Sequence, residues 1–62
     1  MISTDPHDLA ASMLRIYGDA NALSLASGYA NDASASGDRH GHKKWAAVVI
    51  AIAAMIEVTL ND

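Results

Sequence analysis

The chain has no cysteine and no phenylalanine, a single proline, and only four lysine or arginine residues. Each shortage excludes something. Without cysteine there are no disulfides and no thiolate metal ligands, so the fold must hold without covalent staples. Without phenylalanine, and with one tryptophan and two tyrosines, large rings cannot dominate the core. Pro6 stands near the start, so no proline interrupts helices further on. Four basic residues against seven acidic ones give a net charge of -3, which disfavours nucleic acid as a partner on electrostatic grounds. The first residues lack both a basic stretch and an apolar run, so no signal peptide is expected and the expected location is cytoplasmic.

What is present is mostly small and apolar. At 62 residues the chain makes one domain, 1–62, and 52% of it is hydrophobic, with alanine a large share. A chain this short buries only about 60% of the surface its unfolded form exposes. A buried leucine-sized side chain contributes roughly 1.5–3 kcal/mol, and alanine much less. Ordering each residue's backbone costs roughly 1–2 kcal/mol. An isolated monomer is therefore expected to be weakly stable.

Local signals divide the chain into three helices, near 6–17, 20–36 and 39–60, an all-α fold. Asp5-Pro6-His7-Asp8 reads as a helix start. Asp5 caps, proline sits where its missing N–H costs nothing, and Asp8 complements the helix dipole. Leu9, Met13, Ile16 and Tyr17 form one apolar stripe. Gly18 suits a left-handed helix end, and Asp19 is placed to cap the next helix. Ala22, Leu25, Ala26, Tyr29, Ala30 and Ala33 line one face of that second helix, which predicts close packing against a neighbour. Gly37-Asp38 repeats the glycine–aspartate break.

The third segment is exceptional. Trp45, Val48, Val49, Ile52, Ile56 and Leu60 follow helical spacing, yet Ala46, Ala47, Ile50, Ala51, Ala53, Ala54 and Val58 make the other side apolar too. The β-branched run Val48-Val49-Ile50 favours a strand, but the flanking alanines and the length of the apolar stretch favour helix. A helix apolar nearly all round is expected to be buried nearly all round. Two thin helices from the same chain cannot easily cover it.

Candidate chemistry is sparse. His40-Gly41-His42 is an H-x-H pattern. On a helix its two rings point roughly 200° apart and do not converge on a metal. Asp38 and His42 could share a face, which supplies two ligands where zinc sites use three or four. Asp5, Asp8, Asp19 and Asp38 all fall at helix starts, where capping explains them. Glu57 interrupts the apolar tail and is expected to face solvent or a cation on a neighbouring chain. No nucleophile elbow, P-loop or dinucleotide fingerprint is present. No catalytic residue, metal site or cofactor is expected. Arg39, His40, His42, Lys43 and Lys44 before Trp45 look like a membrane-interface flank. The run from Trp45 to Leu60, however, spans only about 24 Å against a hydrocarbon core of about 30 Å.

The arrangement of Ala11, Met13 and Tyr17-Gly18-Asp19-Ala20, then Gly37-Asp38 with Gly41 and Trp45, then Ile52 and Met55, resembles a group of short uncharacterised bacterial helical proteins, common in alphaproteobacteria. They share a tyrosine–glycine element followed by a Gly-Asp-x-x-Gly-x-x-x-Trp element. The resemblance implies a compact helical module and no activity. This chain departs from the group in its last helix, which is almost wholly apolar where the group usually carries charge. In that light Gly41, one turn before Trp45, is expected to admit a neighbouring helix or seat the indole.

The expected function is a non-enzymatic interaction module. It would self-associate through the third helix, most simply as a dimer, with Trp45, Val48, Val49, Ile52, Met55 and Ile56 as the contact residues. Two other readings use the same helix: a short membrane-associated protein held by residues 45–60, and a small regulator that binds another protein.

Overall fold

The computed structural model describes residues 5–60, with side chains described through residue 58. It is an all-α, three-helix fold: α1 Pro6–Tyr17, α2 Asp19–Ala35 and α3 Arg39–Leu60. Each boundary lies within a residue of its sequence-based expectation, because local chemistry sets it. The Asp5 side chain accepts from the His7 N–H at 3.0 Å, and proline opens α1.

The two glycine–aspartate breaks differ in detail. Gly18 alone separates α1 from α2. Its φ of 86° and ψ of 168° are not the left-handed helical values the sequence suggested. It is also the N-cap of α2, so Asp19 is the first helical residue rather than the cap. The carboxylate there acts through the helix dipole. At the second break the Gly37 N–H reaches the Ser34 carbonyl at 3.2 Å, and the Asp38 N–H reaches Ala33 at 2.8 Å. With Gly37 at φ 79°, these bonds make a Schellman ending. The Asp38 carboxylate then accepts the Gly41 N–H at 2.9 Å. One residue closes α2 with its amide and opens α3 with its side chain.

The helix α3 lies at the centre and packs against both others, most extensively against α2. Ala22, Ala26 and Ala30 form a buried stripe on α2, spaced four residues apart. Side chains this small let helix axes approach closely. From α1 the core takes Ala10 and Met13, and from α3 Val48 and Ile52. Leu9, Leu14, Leu23, Leu25, Trp45, Val49, Met55 and Ile56 pack around them. The α1 stripe is therefore rotated from its sequence-based placement: Leu9 and Met13 turn inward, while Ile16 and Tyr17 are exposed. The Leu60 side chain, also placed on the α3 stripe by its spacing, lies outside the described residues.

Two contacts fix α3 against α2. The Tyr29 and Trp45 rings stand 4.7 Å apart at 40°, a tilted geometry that suits the ring quadrupoles. The His42 Nδ1 lies 3.0 Å from the Ala30 carbonyl. A carbonyl can only accept, so Nδ1 carries the proton.

Candidate interaction surface

Viewed down its axis, α3 has two apolar sides. The inner side carries Trp45, Val48, Val49, Ile52, Met55 and Ile56, the residues that the sequence marked as contacts between chains. In the monomer the chain itself uses this side. Val48 and Ile52 are 0% exposed, and the other four pack partly buried around the core. The apolar side that the chain leaves uncovered is the opposite one. There Ile50 is 69% and Val58 70% exposed, and Ala53 and Ala54 are exposed between them. Ala46 and Ala47 continue the strip toward the N-terminus of α3, half-buried, and Lys43 and Glu57 stand exposed at its ends.

The sequence contained the signal for this side, since Ile50, Ala53, Ala54 and Val58 recur at helical spacing. Larger side chains on the inner face outweighed it. A shallow apolar hollow of about 320 Å³ adjoins the strip, lined by His7, Ala51, Ala54, Met55 and Val58. These exposed apolar residues of α3 lie along one side of the helix rather than being scattered singly.

The polar groups cluster elsewhere. Ser34, Gly37, Asp38, Arg39 and His42 line a notch of about 230 Å³ at the α2–α3 corner. Its reactive-looking groups are engaged in structure: Asp38 caps α3 and His42 binds the Ala30 carbonyl. The capping carboxylate also occupies the helix N-terminus, where an anion would otherwise bind. Among the described residues, no three His, Cys, Asp or Glu side chains are grouped so as to hold a metal ion. His40 and His42 lie on a helix, so their rings diverge.

Gly41 corrects another expectation. What lies nearest is not a neighbouring helix or the indole but the Asp38 side chain. A Cβ built there would overlap the Asp38 carboxylate, with Cγ only 2.9 Å away. The missing side chain makes room for the cap.

The chain matches no family model, no curated protein and no solved structure. Among the described residues, no helix is long and apolar enough to cross a membrane.

Proposed function

We propose that this chain is a non-enzymatic helical interaction module that self-associates through the outward side of α3, most simply as a symmetric dimer. One observation carries the reading: the strip around Ile50 and Val58 stays uncovered although α1 and α2 already pack on α3. Burying it adds hydrophobic stabilisation at about 25 cal/mol per Å². That contribution matters for a core in which, among the described residues, Ile52 and Val48 are the only large side chains buried completely. The commitment of Asp38 and His42 to structural bonds supports a non-catalytic role. A cytoplasmic location is proposed alongside this reading, and fractionation of cells expressing a tagged chain tests it.

Light scattering on a sizing column, run over a dilution series without detergent, tests self-association. A folded dimer that dissociates on dilution is expected. Ile50→Asp should then leave a helical monomer at every concentration. A wild-type chain that remains monomeric at high micromolar concentration overturns the proposal. Recovery only in complex with a different protein would assign the strip to that protein instead.

A further inference from the structure

About Ile50 the alanines of the exposed α3 strip are placed symmetrically, while Val58, eight residues on, has His42 as its mirror position. Ile50 is central. Ala47 and Ala53 stand three residues to either side, Ala46 and Ala54 four, and Lys43 and Glu57 seven. At 1.5 Å per residue the two charges lie roughly 21 Å apart along the helix. Spacings of three, four and seven keep all of these positions on one side of α3. On that side Lys43, Ile50, Ala53, Ala54 and Glu57 are exposed and Ala46 and Ala47 half-buried, while Val48 and Ile52 point the other way into the core.

We propose that two copies of this chain pair their α3 helices antiparallel, about a two-fold axis beside Ile50, with Lys43 of each copy next to the partner's Glu57. This inference rests on the self-association proposed above and adds its register and direction. An antiparallel pair centred on Ile50 sets opposite charges together at both ends. It also sets Ala46 and Ala47 against the partner's Ala53 and Ala54. Alanine at these positions adds little bulk, so the central isoleucines set an axis separation within the usual 8–10 Å. The two Ile50 side chains then fill the middle. A parallel pair in register would instead place Lys43 on Lys43 and Glu57 on Glu57. Like charges held at close range disfavour that alternative. His7 of α1 borders the strip beside Ala54 and Val58, while Ile50, Ala53 and Ala54 stay exposed to a partner.

The contact is one helix wide, so it is smaller than the roughly 800 Å² per partner of a standard interface. A dissociation constant of about micromolar order is expected. Lys43 and Glu57 are both exposed, so reversing either charge leaves the fold intact. The two-fold counts each substitution twice, so Lys43→Glu or Glu57→Lys alone should weaken the dimer about tenfold. The double variant, with both charges exchanged, should return to within about threefold of the natural chain.

Cysteine cross-linking reads the direction independently, on a chain that has no cysteine of its own. Ala47→Cys and Ala54→Cys proteins are mixed in equal amounts and oxidised gently. Antiparallel pairing is expected to give mainly the mixed 47–54 disulfide. Mainly 47–47 and 54–54 products from a concentration-dependent dimer would overturn the antiparallel register while leaving self-association standing. Affinity that ignores both single charge reversals would overturn the Lys43–Glu57 pairing. A natural chain that is monomeric throughout would overturn self-association itself.

Discussion

Ile50 and Ile52 are separated by one residue on α3, yet they occupy opposite sides of the helix, 69% and 0% exposed. The helix turns about 200° over two residues, so the same side chain serves two different purposes. Ile52→Ala removes a buried side chain and should cost about 2–5 kcal/mol. Ile50→Ala should change monomer stability by less than about 0.5 kcal/mol. Urea unfolding followed by circular dichroism, in dilute monomeric solution, checks both. Equal losses would mean that α3 is rotated about its axis from the arrangement described here.

Trp45 should report on the α2–α3 contact. It is half-buried and stacks on Tyr29. Trp45→Ala is expected to cost about 2–3 kcal/mol, below the full cost for a wholly buried ring. Tyr29→Leu keeps most of the apolar area and loses the ring pair, at about 0.5–1.5 kcal/mol. Tryptophan emission in Tyr29→Leu should unfold at lower urea than in the natural chain.

Two glycines should respond oppositely to alanine. Gly18 has open space around it but holds φ 86° with ψ 168°, a region that side chains avoid. Gly18→Ala should cost about 1–3 kcal/mol. Gly28 lies inside α2, also with open space where a Cβ would go. Gly28→Ala should add about 0.5–1 kcal/mol, because alanine has less backbone freedom to lose on folding. Thermal melts of the two variants should therefore shift in opposite directions.

The two aspartates after glycine are not equivalent. Asp38 makes a side-chain hydrogen bond to its helix, and α2 has no side-chain cap bond at its start. Asp38→Ala should cost about 1 kcal/mol. Asp19→Ala should cost about 0.3–1 kcal/mol, and that loss should shrink in high salt. Chemical denaturation at two ionic strengths separates these contributions.

The sequence alone determined the number of helices and their ends. Asp5-Pro6, Gly18-Asp19 and Gly37-Asp38 act through backbone dihedrals and hydrogen bonds a few residues away, so their effect is local and readable. The alanine face of α2 was legible too, because a regular small-residue spacing has one consistent use, close approach. Only the tertiary structure decided which side of each other helix faces inward. On α1 the core took Ala10 with Met13 and left Ile16 and Tyr17 outside. On α3 both sides are apolar, and burial there depends on where α1 and α2 fit. That choice rests on contacts between residues far apart in the chain, and it places Val48 and Ile52 inside and Ile50 and Val58 at the surface.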